Sequence, residues 1–182
     1  ETNAIVANCH KVPQKQFSKE LLSIDSIQKS IQNTVSLIAT LNPKCNFIFT
    51  VSPVRHLKDG FVENQVSKAH LIAAIYATTN TKQQTLNYFP SYEIMMDELR
   101  DYRFYTDDMM HPSPMAIDYI WERFAATQID ANAIATMELV QTIQKGLAHR
   151  PFNPNSKSHQ KFEANLKEKI ATLEAQYSFM KF

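Results

Sequence analysis

Asp108 and His111 stand three residues apart in YTDDMMHPSP (105–114), a stretch bounded by Pro112 and Pro114 and too short for a regular helix. Imidazole is the side chain that takes up and releases a proton near neutral pH. A carboxylate on its other ring nitrogen fixes the tautomer and stabilises the imidazolium that forms when it acts as a base. The spacing predicts that Asp108 loops back onto His111 through a tight turn, making an oriented general base. The plain alternative is a loop whose polar residues face water. A general base serves a hydroxyl or thiol nucleophile, and acyl transfer also needs donors aimed at a developing oxyanion. Asn8, in ANCH (7–10), carries an amide suited to that second task. Cys9 and His10 beside it, with Arg55 and His56 in SPVRHLKDG (52–60), are the remaining cleft candidates. No nucleophile presents itself: Cys9 reads as a small buried hydrophobe. A metal centre built from His10, His56, Asp107 and His111 would lack any H-x-H or H-x-x-x-H spacing, so no metal and no cofactor is expected. Arg55 with Asp59 reads as a surface ion pair, His70 as a packed helix residue, and His149 and His159 as exposed.

The elements that must carry these residues alternate. AIVAN (4–8) reads as a strand ending in polar residues. Ile27, Ile31, Val35, Ile38 and Leu41 recur at helical spacing, with Ser23 as N-cap and Asn42-Pro43 as the stop. CNFIFTV (45–51) is the best strand in the chain. A second helix follows, with Val62, Val66, Ala69, Ala73 and Tyr76 on one stripe and Leu71 and Ile75 widening it. TLNYF (85–89) reads as a third strand, 91–100 as a short helix, and 115–125 as a firmer one that starts at Pro114. Strand and helix in alternation, with short connections, predict a parallel sheet with helices on its faces. Ligands in such sheets sit beyond the carboxyl ends of the strands, where 8–10 and 52–59 fall and where the 108–111 loop can reach. From residue 128 onward the pattern is helical only. Ile134, Met137, Val140, Ile143 and Leu147 mark one helix; Phe162, Leu166, Ile170, Leu173 and Tyr177 mark another, with Gly146, Pro151 and Pro154 between them. The expected organisation is a sheet domain over 1–127 and a helical hairpin over 128–182, its apolar stripe covered by its own partner helix or by a second copy of the chain.

The 182 residues are 44% hydrophobic and 20% charged, enough to build a real core. A net charge of +1 gives no electrostatic reason to expect nucleic acid or an anionic membrane as partner, and no apolar run approaches the roughly 20 residues that span a bilayer. Two cysteines make neither a disulfide framework nor a C-x-x-C zinc site. Localisation is left open, with a reducing cytoplasmic compartment as the default. Glu1 running straight into AIVAN reads as an N-terminus cut from something longer.

Three long stretches, ANCHKVP (7–13), TVSPVRHLKDGFVENQVSKAHL (50–71) and YFPSYEIMMDELRDYRFYTDDMMHPSPMAIDYIWERF (88–124), resemble the GSCFA family, which is itself similar to the SGNH, or GDSL-like, hydrolases. The resemblance covers residues 1 to about 125. It implies a three-layer α/β/α, flavodoxin-like fold and serine ester hydrolysis on a small-molecule or carbohydrate ester. It also implies that Asp108 and His111 are the D-x-x-H block and that Asn8 is the oxyanion-hole Asn. The family's G-S-C-F-A motif, whose serine would be the nucleophile, is absent: Gly60 and Gly146 are the only glycines and neither has a serine beside it. The chain is therefore expected to be inactive by itself, an N-terminally truncated member. The competing expectation is a non-catalytic binding or interaction module that uses the strand-end cleft and the hairpin.

Overall fold

The computed structural model describes residues 13–79 and 86–182. The expected first strand, with Asn8, Cys9 and His10, lies outside the described residues.

The helix α1 spans Ile24–Leu41. Ser23 caps it as its composition dictates, Oγ accepting from the Ser26 amide at 3.2 Å, and Asn42 ends it by donating its amide to the Ile38 carbonyl at 2.8 Å. The strand β1 is Phe47–Phe49, shorter than the apolar run that carries it. Helix α2 covers Phe61–Thr79 and β2 covers Leu86–Tyr88. The two strands pair in parallel, Phe47 opposite Leu86 and Phe49 opposite Tyr88, and the Phe89 amide extends the ladder to the Phe49 carbonyl at 2.8 Å. Parallel neighbours need a crossover, and α2 supplies it. Among the described residues the architecture is helix-rich and mixed, with this two-stranded parallel sheet.

After β2 the chain makes one helical turn, α3 (Ser91–Glu93), that widens into a π turn over Ile94–Glu98. A 3-10 turn at Tyr102–Phe104 and an irregular loop lead to α4, Pro114–Gln128, with Pro114 in its first turn. The core of this part is Val35, Val51, Ala74, Ile75, Phe89 and Met95, with Tyr105 and Ala116 closing it.

Two stripes differ from expectation. In α1, Val35 is buried against α2, but Ile38 and Leu41 are exposed, Leu41 almost fully. In α2, Ile75 is buried as its stripe requires, but Val62 and Tyr76 face outward, while Asn64, Lys68, Ala74 and Thr78 are buried beside it. Helical periodicity fixed the helix but not its rotation. Asn64 and Lys68 turn inward because the loop after β1 presents backbone groups that need partners there.

The chain divides into two compact units, the first ending at Ile120 and the second Trp121–Phe182. In the second, α5 (Ala131–Ala148) is capped by Asp130 and α6 (Lys157–Gln176) by Ser156. Thr136 and Tyr177 share a hydroxyl hydrogen bond at 3.1 Å, and Gly146 lies against Leu166, so the helices run antiparallel. Ile143 and Leu173 form the buried seam, with Leu166, Ile170 and Tyr177 half-buried and Phe162 more open. His159, read from sequence as exposed, is only 13% exposed: its ring stacks on Phe162 and its Nε2 lies 3.2 Å from Glu163.

Candidate active site

The loop between the 3-10 turn and α4 is closed by backbone pairing. Tyr105 and Pro112 form an antiparallel bridge, the Ser113 amide donates to the Phe104 carbonyl at 2.8 Å, and the Thr106 amide donates to the His111 carbonyl at 2.9 Å. Within this ring the Met109 amide bonds back to the Thr106 carbonyl at 2.9 Å, and Met109 takes a left-handed φ of 58°. That conformation is uncommon for a residue with a side chain. Its effect is to aim the next two amides inward.

Both amides meet Asp108. Its Oδ1 accepts from the Met110 amide at 2.8 Å, the His111 amide at 3.0 Å and the Thr106 hydroxyl at 2.7 Å. Its Oδ2 faces His111 Nδ1 at 2.6 Å. An ionised carboxylate only accepts, so Nδ1 carries the proton and neutral His111 offers Nε2 as an acceptor. Nε2 has no hydrogen bond among the described residues, and the side chain is 57% exposed. The donors hold the Asp108 carboxyl far below the usual carboxylate range; the His111 amide contributes most, followed by the Thr106 hydroxyl, the Met110 amide and the imidazole. Asp108 is therefore charged at neutral pH. The arrangement can take a proton at Nε2 and stabilise the cation that results.

Arg55 reaches this loop from the segment that follows β1. It leaves the end of β1 on a segment fastened at several points. The buried Ser91 hydroxyl donates to the Val51 carbonyl at 2.8 Å, and Lys68 Nζ donates to the Ser52 carbonyl at 2.6 Å. Asn64 Oδ1 accepts from the His56 amide at 2.9 Å. Desolvation lowers the pKa of the buried Lys68 ammonium below that of a free lysine. From this platform the Arg55 amide donates to the Met110 carbonyl at 3.1 Å and Nη1 to the Met109 carbonyl at 3.2 Å. The guanidinium lies 4.0 Å from the Tyr105 ring centroid and 5.8 Å from that of Tyr102, within cation–π range of both.

The candidates thus sort differently from expectation. Asp108 and His111 are together, and Arg55 joins them through the backbone of their loop. The expected Arg55–Asp59 pair is replaced: Asp59 pairs with Lys19. His56 is exposed and tied to α2 by its amide, with no side-chain hydrogen bond among the described residues. His70 is half-buried, its Nδ1 donating to the Leu22 carbonyl at 2.8 Å. Asn64, Lys68 and Ser91 were not singled out from sequence. The one available signal was polar residues interrupting apolar positions near the starts of two helices. Among the described residues no cluster of three or more metal-ligating side chains occurs.

Comparison with known proteins returned no match among curated proteins and none among solved structures. A model of the GSCFA domain protein C-terminal domain matches residues 140–182, which hold the second half of α5 and all of α6. The GSCFA family model matches residues 1–124, over half of the sequence and including the whole Asp108–His111 loop: the chain belongs to the GSCFA family.

Proposed function

We propose that this family member is the base-bearing part of an SGNH-type ester hydrolase with a three-layer α/β/α, flavodoxin-like domain, acting on an acylated carbohydrate or another small ester. The observation that carries the reading is the His111 Nδ1–Asp108 Oδ2 contact at 2.6 Å, which leaves Nε2 open to solvent. The parallel β1–α2–β2 unit supports the fold assignment. In this reading Nε2 takes the proton of a serine hydroxyl as its oxygen attacks the ester carbonyl, and the imidazolium, stabilised by Asp108, returns that proton to the leaving alcohol. A water activated at the same nitrogen then releases the acid and regenerates the serine. Asn8 is the proposed donor to the oxyanion.

The serine is that of the family's G-S-C-F-A motif, which this sequence does not contain. The same absence favours the second reading, a non-catalytic binding module. One experiment separates them. Protein carrying the motif is assayed with activated esters beside its His111→Ala variant, and the 182-residue chain is assayed alone. The hydrolase reading expects turnover that vanishes with His111→Ala and none from the chain alone. Turnover indifferent to His111, or its absence from the motif-bearing protein, refutes it.

A further inference from the structure

Two peptide groups in the loop are held at both ends, one end by Asp108 and the other by Arg55. The group joining Met109 to Met110 gives its N–H to Asp108 Oδ1 at 2.8 Å and receives Arg55 Nη1 on its carbonyl at 3.2 Å. The group joining Met110 to His111 gives its N–H to the same oxygen at 3.0 Å and receives the Arg55 amide on its carbonyl at 3.1 Å. A peptide is planar, so fixing the direction of its carbonyl fixes that of its N–H. A cation at the carbonyl end and an anion at the N–H end also polarise the group in the same sense, which strengthens both bonds. From this we infer that Arg55 is a positioning residue for His111: it sets the two amides that hold the Asp108 carboxylate, and through that carboxylate the orientation of the imidazole.

Other observations support this role. The guanidinium is seated against Tyr105, itself a buried member of the loop's closing bridge, so it is not free to swing away as a surface arginine does. Its backbone is tied down by its neighbours' bonds to Lys68, Asn64 and Ser91. A lysine would keep the charge but lose the planar stack on Tyr105 and the fixed geometry of the fork.

The inference rests on the base reading only for its catalytic consequence, and its test needs no substrate. Amide hydrogen exchange and imidazole ¹⁵N spectra are recorded on the whole chain, its Arg55→Ala variant and its Arg55→Lys variant. Truncating the side chain removes the bond to the Met109 carbonyl but leaves the backbone bond to the Met110 carbonyl. Exchange should therefore rise on the order of tenfold at Met110 and less at His111, the charged donor being worth more than a neutral one. Core amides such as Ile75 should not change, and the His111 Nδ1–H resonance should broaden. Arg55→Lys should fall between the two. Unchanged Met110 exchange in a folded variant overturns the inference, as does a rise spread equally over Ile75 and the loop. Should neither variant fold, fast exchange of both amides in the unsubstituted chain overturns it, and slow exchange supports it. Protected amides together with no ester turnover in the motif-bearing protein would sink the hydrolase reading and leave the clamp; turnover there with unprotected amides would do the reverse.

Discussion

Asp108→Asn should reverse the tautomer of His111 while leaving its loop folded. The native carboxylate divides its work unevenly: Oδ1 accepts from three donors, the Met110 amide, the His111 amide and the Thr106 hydroxyl, and Oδ2 accepts from one, His111 Nδ1. An amide is nearly isosteric but has one acceptor end and one donor end. Placed with its carbonyl toward the three donors it keeps all three bonds, and its NH₂ then faces Nδ1. Placed the other way it sets a donor against three donors. Three contacts against one decide for the first orientation. Nδ1 must then accept, so the ring proton moves to Nε2, the nitrogen proposed to act as base. In protein carrying the family's serine motif, kcat should fall on the order of 10⁴-fold, as expected when a base is held in the wrong tautomer. The assay that does not depend on turnover is ¹H–¹⁵N correlation of the imidazole. Nδ1 should change from the protonated to the unprotonated shift range while the Met110 and His111 amides stay protected. A variant that keeps its proton on Nδ1, or one whose amides lose protection, refutes the division of labour between the two oxygens.

The same carboxylate sets a pH dependence. Its folded pKa is depressed, so its contribution to stability is complete above the ordinary carboxylate value near 4 and is lost as pH falls through the folded value. The stability gap between the native chain and Asp108→Asn, measured by urea unfolding, should be full at about pH 5 and close as pH falls below about 4; a gap that stays open on further acidification refutes this. Leu173→Ala empties the hairpin seam at a side chain only 1% exposed and should cost about 2–5 kcal/mol in urea unfolding of the Trp121–Phe182 unit, a loss below about 1 kcal/mol arguing that the seam is not packed. Gly60 has φ 98°, a backbone conformation that strains any residue with a side chain, so Gly60→Ala should cost on the order of 1–3 kcal/mol, read as a lowered Tm. An unchanged Tm would mean that the loop after β1 can take another path.

What the sequence disclosed about the fold follows the range of the interactions involved. Ser23, Asn42 and Pro114 mark helix ends through groups within four residues of them, and each stands where local chemistry puts it. The hairpin stripe was readable because Leu166, Ile170, Leu173 and Tyr177 recur with the helical period. In α2 polar residues take part of the inward face. Asn64 and Lys68 sit inward because the His56 amide and the Ser52 carbonyl require them, and neither group has a signature in a hydropathy pattern. β1 is shorter than its apolar run because the backbone leaves the ladder after Phe49: the Val51 carbonyl goes to Ser91, a side chain 40 residues away.

The site divides along the same line. Asp108 and His111 were legible because three residues is a distance a turn can close without help. What makes the turn hold was not. In an α-helix the amides at 110 and 111 would bond to carbonyls four residues back and would be lost to the carboxylate. The left-handed Met109 instead turns them onto Asp108, at a cost of roughly 1–2 kcal/mol for a residue with a side chain. Two amide bonds to a charged acceptor offset that cost, but only while the intervening peptides keep their orientation. Nothing within 105–114 fixes their carbonyl ends. Arg55 does so from the end of β1, 54 residues from Met109, and it does so through carbonyl oxygens that every residue possesses. Side-chain spacing therefore announces the Asp108–His111 pair, whereas the group that aims it leaves no pattern for a sequence to show.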